Sequence, residues 1–355
     1  MNFFSRRVEF FRLLGDIALP VLMLVACDRG FGWYVTRAPN LPVVQLFSGD
    51  PLTSGKFIAL RRRALPVPAL DVLLMGMSQV MRVNGAQLEA ELSERSRRPI
   101  RTFNFAGPFH SFAFDRILLR NLVLPIAKPA VVVYGVTPMA LLNERIPART
   151  IETQAEAMPV FGLYTGSPAE RLRGLAMLHL NLWPYRQAIR SAFESPFGWK
   201  VTPLDVQGRA ATPAGDVPLL TQHIEVTGLN RWGLKHQQRF ARFDAVMRAT
   251  LLFDHLAQFA QFCRQEGIEL VILNNPVHPI FLETLPNGQH DYDRYLARLR
   301  AVAAENGVRL FEPVLNGIGA PELYQDMVHH DAVGGAWLTE QLVRYLIDNR
   351  LVTAQ

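Results

Sequence analysis

The chain has 355 residues, of which 49% are apolar and 19% charged, enough apolar matter for a sizeable core and too much for a disordered polypeptide. Cys27 and Cys263 are the only cysteines. This excludes a disulfide scaffold, and a bridge is not expected between an N-terminal apolar segment and a predicted helix. The net charge of +6 comes partly from Arg61-Arg62-Arg63 and from Arg95, Arg97 and Arg98, clusters with no interleaved aromatic residues and no nucleic-acid motif. A solvated face, or one near anionic lipid headgroups, is the expected use of these charges, and nucleic acid is not an expected partner.

At the N-terminus, Arg6, Arg7 and Arg12 precede the apolar run Ile17 to Cys27, in the order of the basic and apolar regions of an export signal. The run is short for a bilayer core, which needs about 20 apolar residues. A spanning helix here runs from about Leu13 to Val35 and carries Asp16, Asp28 and Arg29, charges that must reach an interface or a partner subunit. Leu24-Val25-Ala26-Cys27 also resembles a bacterial lipobox, with Cys27 the acylated residue and Asp28 the one after it. Three readings stay open: a single-pass anchor, a lipoprotein, and a buried apolar helix of a cytosolic protein. The first two place the main domain outside the cytoplasm, because the positive charges stay inside. Residues 1–36 thus read as a membrane anchor or signal segment. Residues 37–68, rich in Pro, Gly and Ser and without sustained periodicity, read as a tether wrapping onto the domain.

The main domain is expected over residues 69–350. Asp71 to Met75 is a short apolar run ending at Gly76, and Gln87 to Glu94 has helical character. Arg101 to Phe105 is a second strand ending at Gly107, Phe112 to Leu124 a helix, and Ala130 to Tyr134 a third strand between Pro129 and Gly135. From about 147 to 233 the pattern is irregular, with Trp183, Tyr185, Phe197 and Trp199 scattered among Pro and Gly, and it reads as an inserted cap. Those aromatic residues are core material or a surface on which sugar rings stack. An amphipathic stretch follows from His236 to Gln265, then strand Ile268 to Leu273, helix Asp291 to Glu305, strand Val308 to Phe311 and helix Gly334 to Asp348. Strand and helix alternate, which predicts an α/β three-layer sandwich with a mainly parallel sheet.

In such sheets ligands bind beyond the carboxyl ends of the strands. The residues found there are Gly76-Met77-Ser78, Asn104-Phe105-Ala106-Gly107, Gly135-Val136-Thr137 and Asp326-Met327-Val328-His329-His330-Asp331. A Ser at a strand-to-helix turn exposes its hydroxyl and has backbone N–H groups to serve an oxyanion. An Asp three residues before a His can orient the imidazole, which then accepts the Ser proton. Ser78, Asp326 and His329 are therefore the candidate triad for acyl transfer. The plainer alternative makes Ser78 a helix N-cap. His330 is the rival base, and His329-His330 beside Asp331 allows a metal site, although no further His or Cys stands at ligand spacing. His110 is a loop residue or a substrate contact. Asn274, Asn275 and His278 are turn residues or a rim of the cleft.

At these positions the sequence resembles the SGNH/GDSL hydrolase superfamily, whose fold is flavodoxin-like. Within it, the resemblance is to membrane-anchored members that work beside acyl-transfer machinery, such as the alginate O-acetylation proteins and the D-alanylation protein of teichoic acids. Val72 to Val80 looks like the first block, with Ser78 as nucleophile. Asn104 to Gly107 looks like the second, whose Gly lends an N–H to the oxyanion hole. Asp326-Met327-Val328-His329 followed by Gly334 looks like the last. The resemblance spans about Asp71 to Leu346, with the cap unmatched. Met77 stands where many members have Asp or Ser, and Thr137 stands where the third block has its oxyanion-hole Asn, with Asn104 and Asn143 as possible substitutes. The resemblance implies an oxyanion hole of Ser78 and Gly107, with the Thr137 hydroxyl in place of the usual Asn; Asn104, His110 and His330 are the candidate substrate contacts, and no metal or other cofactor is expected. It further implies an O-acyltransferase or esterase acting on a cell-envelope or secreted polysaccharide, with a membrane-bound acyltransferase as partner. A non-catalytic scaffold of the same fold, binding a glycan or that partner, is the alternative.

Overall fold

The computed structural model describes residues 18–31, 33, 51–64, 67–108, 110–145, 214–216 and 228–352, with the isolated positions 168, 169, 172, 180 and 182. Its centre is a run of β-branched and aromatic residues, Val131-Val132-Val133-Tyr134, buried on both faces and hence continuous rather than alternating in polarity. It forms the middle of a five-stranded sheet in which β1 is Ala69–Gly76, β2 Thr102–Asn104, β3 Lys128–Val136, β4 Glu269–Asn274 and β5 Arg309–Phe311. The order is β2-β1-β3-β4-β5 and every pairing is parallel. This is the doubly wound order that reverses between β1 and β3, and the crevice at that reversal is where such sheets bind ligands.

Two apolar layers cover the sheet. On one face Val72, Leu74, Val131, Val133, Val271 and Leu273 meet Leu88 and Leu92 of helix α2, and Leu338, Leu342 and Leu346 of the last helix. On the other, Leu73, Met75, Val132, Tyr134 and Ile272 meet the remaining helices. In chain order the helices are α1 (Pro51–Ala64), α2 (Gly85–Ser96), α3 (Phe112–Leu118, continued by a π-helical turn Leu119–Val123) and α4 (Ala140–Asn143). They continue as α5 (Arg231–Phe240), α6 (Phe243–Ala249), α7 (Leu252–Gln265), α8 (Gln289–Glu305) and α9 (Ala332–Asp348).

The expected strands and helices of the main domain are present, with shifted ends. The amphipathic stretch expected from His236 to Gln265 falls in three helices, because the chain breaks after Phe240 and again at Thr250-Leu251. Part of the segment expected as an irregular tether is helical. Residues 51–64 form α1, whose Phe57, Leu60 and Ala64 are buried in the core, and its short apolar stripe is masked in sequence by charged neighbours. The basic cluster on it is not simply solvated: Arg61 is buried and donates to the Leu180 carbonyl, and Arg63 pairs with Glu89.

Most of the expected cap lies outside the described residues. Its residues 214–216 sit against the sheet edge, where the Ala214 carbonyl accepts from the Asn104 N–H at 2.8 Å. Asp216 accepts from the first amides of α2, Gly85 N at 2.7 Å and Ala86 N at 3.0 Å, the electrostatic preference of a helix N-terminus for an anion. Asn84 caps the same helix by accepting from Gln87 N. Residues 18–31 are helical, with Leu19, Leu22 and Met23 exposed. No helix among the described residues is long and apolar enough to cross a membrane. Asp28 is buried and accepts from the Leu182 N–H at 2.9 Å.

Where β1 and β3 end, Gly76 pairs with Gly135. A Cβ on Gly76, whose φ is +110°, would lie 2.4 Å from the Gly135 carbonyl oxygen, and one on Gly135 would lie 2.0 Å from Val80 Cγ2. Gly76→Ala and Gly135→Ala are each expected to lower the unfolding free energy by about 2–4 kcal/mol. Gly228→Ala, with nothing within 4 Å of its Cβ, is expected to stay within about 0.5 kcal/mol of the parent in urea titrations.

Candidate active site

Ser78 lies two residues beyond β1, at the entry to a 3-10 turn over Val80–Arg82. The turn is closed by Val80 N to Met77 O and Met81 N to Ser78 O. Val80 packs on the bare backbone of Gly135, so the turn sits directly on the sheet reversal. Asn104 holds it from the neighbouring strand: its Nδ2 donates to the carbonyls of Val80 (3.1 Å) and Val83 (2.9 Å), and its Oδ1 accepts from Ala106 N.

The Asp326–His329 segment is held by three sets of contacts. Tyr324 and His330 form an antiparallel bridge, Gln325 N donates to His329 O, and Asp331 N donates to Leu323 O. Met327 O accepts from His278 N, which ties the loop to the one after β4. Asp331 is the N-cap of α9 through Gly334 N, and Gly334 is required because a Cβ there would lie 2.0 Å from Leu323 O.

Within this frame Ser78 Oγ is 2.8 Å from His329 Nε2, and His329 Nδ1 is 2.8 Å from Asp326 Oδ2. The second oxygen of Asp326 accepts from the N–H groups of Val328 (2.9 Å) and His329 (2.8 Å). Burial works against the charge of Asp326, but the His329 hydrogen bond and charge, with the two backbone donors, outweigh it and hold the carboxyl below its ordinary range. An ionised Asp326 accepts a hydrogen bond from the Nδ1–H of His329, which leaves Nε2 as an acceptor for the Ser78 hydroxyl. The His329 and Asp326 side chains are 18% and 26% exposed, so the hydrogen-bonded chain opens to solvent rather than being sealed in the core.

The other sequence-expected residues are placed differently. Gly107 N donates to Gly76 O at 3.1 Å, so the amide that the resemblance assigned to the oxyanion hole is already engaged. Thr137 is buried, and its Oγ1 has no partner among the described residues. Asn104 is fully buried and holds backbone on both sides, a positioning role rather than a substrate contact. Asn143 Nδ2 lies 3.9 Å from the Sδ of Met77, the residue before Ser78. His110 is buried, its ring against Gly107 and its Nδ1 2.8 Å from Asp115 Oδ1, so it faces inward.

His330 is fully buried and stacked on Tyr324, and its Nδ1 lies 3.2 Å from Leu323 O. Its neighbour His329, not His330, is the imidazole hydrogen-bonded to the Ser78 hydroxyl. His278, beside this loop, accepts from Ile280 N through Nδ1, and burial lowers its pKa against the pull of Asp326. Among the described residues no group of three or more His, Cys, Asp or Glu is placed to hold a metal ion. Sequence reasoning missed Asp216 and Lys56, whose buried ammonium donates to the Asn104 and Ala106 carbonyls. Nothing local in the sequence marks either one.

No family model matches the chain, and no curated protein matches it. Similar solved structures include a protein described as an acylhydrolase from Bacteroides fragilis, 11% identical over 82% of this chain and 95% of that one, with a TM-score of 0.37. A GDSL-like lipase from Bacteroides thetaiotaomicron is 12% identical over 84% and 98%, with a TM-score of 0.38. A gut microbial diltiazem-metabolizing enzyme is 11% identical over 79% and 47%, with a TM-score of 0.35. At such identities and TM-scores these likenesses carry no chemistry to this chain, whose site is read from its own geometry.

Burial pushes His330 down to about 4, well below an ordinary imidazole. A depressed histidine is neutral when folded, so its contribution to stability is complete above the unfolded pKa near 6.5 and is lost as pH falls towards 4. Its ring resonances are expected to stay flat from pH 8 down to about 5 by NMR. In His330→Phe, which keeps the stack on Tyr324, the fall in unfolding free energy between about pH 6.5 and 4 is expected to be shallower.

Proposed function

We propose that this chain is a serine-dependent acyl-transfer enzyme, an O-acyltransferase or ester hydrolase. Its substrate is a cell-envelope or secreted polysaccharide, and it works from a membrane-tethered, extracytoplasmic position. The observation that carries the chemistry is the unbroken chain from Ser78 Oγ to His329 to Asp326, each link 2.8 Å, at the sheet reversal. Ser78 attacks the ester carbonyl while its proton passes to His329 Nε2, and Asp326 holds the resulting imidazolium. Collapse of the tetrahedral intermediate leaves the acyl group on Ser78, and His329 returns the proton to the departing alkoxide. Water or a sugar hydroxyl then attacks the acyl-serine, with His329 again as base.

The tether is supported by Arg6, Arg7 and Arg12 ahead of an apolar helix whose Leu19, Leu22 and Met23 stand exposed. The glycan and a membrane-bound acyl-donor partner are supported by the resemblance of the three sequence blocks alone.

One observation favours the second reading, a non-catalytic scaffold that binds a glycan or a membrane partner. With Gly107 N–H engaged and Thr137 in place of an amide, the donors left for an oxyanion are the Ser78 N–H, the Thr137 hydroxyl and Asn143. Losing one donor typically slows acyl transfer by about a hundredfold or more.

The two readings part on a simple assay of the full chain with p-nitrophenyl acetate and a fluorophosphonate probe. The enzyme reading expects labelling and turnover that disappear in Ser78→Ala and His329→Ala, with kcat lowered on the order of a thousandfold or more in Asp326→Asn. A folded wild type that neither labels nor turns over between about pH 6 and 9 leaves the scaffold.

A further inference from the structure

Helix α1 precedes the sheet in sequence, yet it reaches the loop that braces the Ser78 turn. Lys56 is 1% exposed, and its Nζ donates to the carbonyls of Asn104 (2.9 Å) and Ala106 (2.7 Å). Those two residues bracket Phe105, and Asn104 is the residue whose amide holds the Val80 and Val83 carbonyls of the turn after Ser78. The next residue, Gly107, is bonded to Gly76. One turn earlier on α1, Thr53 Oγ1 lies 3.4 Å from Nε2 of His110, the ring packed against Gly107. Helix α1 therefore touches the segment 104–110 at both ends.

Burying an ammonium is costly, and a Met or Leu would fill the same space without that cost. What the cation adds is direction. It orients two consecutive-but-one carbonyls inward, which fixes the peptide planes of the loop and, through Asn104, the height of the Ser78 turn above the sheet. Acyl transfer is sensitive to such placement, since an error of about 1 Å in a reacting group can cost a hundredfold.

We propose that Lys56 is a positioning residue for the acyl-transfer site, acting through residues 104–107 on the Ser78 turn, so that α1 belongs to the catalytic unit. The inference rests on the serine reading given above. It is tested on the full chain with Lys56→Met, which keeps the bulk and removes the donors, and with Lys56→Gln, which keeps a shorter donor. The readings are kcat and KM for p-nitrophenyl acetate per folded molecule, and hydrogen exchange over residues 78–83 and 103–110.

Lys56→Met is expected to lose roughly ten- to a hundredfold in kcat with KM within about twofold, and to exchange faster in both segments; Lys56→Gln should fall between it and the parent. A role confined to stability would lower the melting temperature and leave kcat per folded molecule at the wild-type value, which overturns the proposal, as does unchanged exchange. If Lys56→Met does not fold, Lys56→Gln decides by the same two readings. A silent wild type is a failure of the serine reading, visible before any variant is made, and the clamp on the loop is then upheld or overturned by exchange alone.

Discussion

The close approach of β1 and β3 at their carboxyl ends is the constraint from which the candidate site follows. Gly76 and Gly135 pair there without side chains, and the space is filled from above by Val80 and from the side by Asn275, whose Nδ2 would lie 2.5 Å from a Cβ on Gly135. Only a glycine accepts the positive φ of Gly76, and that φ turns the chain out of the sheet in one residue. Ser78 is thereby placed at the reversal of strand order. Doubly wound sheets bind ligands at that point, and in this chain it carries a hydroxyl hydrogen-bonded to an imidazole.

Around this point the same residue types meet two fates, and exposure separates them. His110 with Asp115, and His255 with Glu144, are buried pairs in the core, all at 3% exposure or less. Burial pushes the Glu144 carboxyl up, while the His255 hydrogen bond and the Phe112 amide pull against it, so the group ties α3, α4 and α7 together. Tyr134 lies in the same layer, its hydroxyl pushed up by burial and by Asp115 and Glu144. Leaving any one partner of such a pair alone in the core costs far more than the pair contributes, which makes them devices for a unique arrangement. His329 with Asp326 is a pair of the same kind left partly open to solvent.

The second structural theme is bracing by parts distant in sequence. Asp216 meets the N-terminus of α2, and Lys56 of α1 meets the loop after β2. Both are charge-assisted bonds between groups far apart in sequence, one at the first turn of α2 and one at the loop after β2.

How much of this the sequence carried follows from the range of the interactions. Apolar runs such as Val131 to Tyr134 and the helical spacing of Leu338, Leu342 and Leu346 are local, and they were enough to place strands, helices and the parallel α/β class. Gly76 before Ser78, and Asp326 three residues before His329, are local too, so the candidate triad was legible. The tertiary structure alone decided what depends on a partner far along the chain. It decided that His329 rather than His330 faces Ser78, because His330 is folded under Tyr324. It also engaged the Gly107 amide with Gly76, occupied Asn104 with the turn carbonyls, and made residues 51–64 a helix docked on the core. A hydrogen bond between groups tens of residues apart leaves no period and no spacing in the sequence, since its only condition is that folding brings the two ends together.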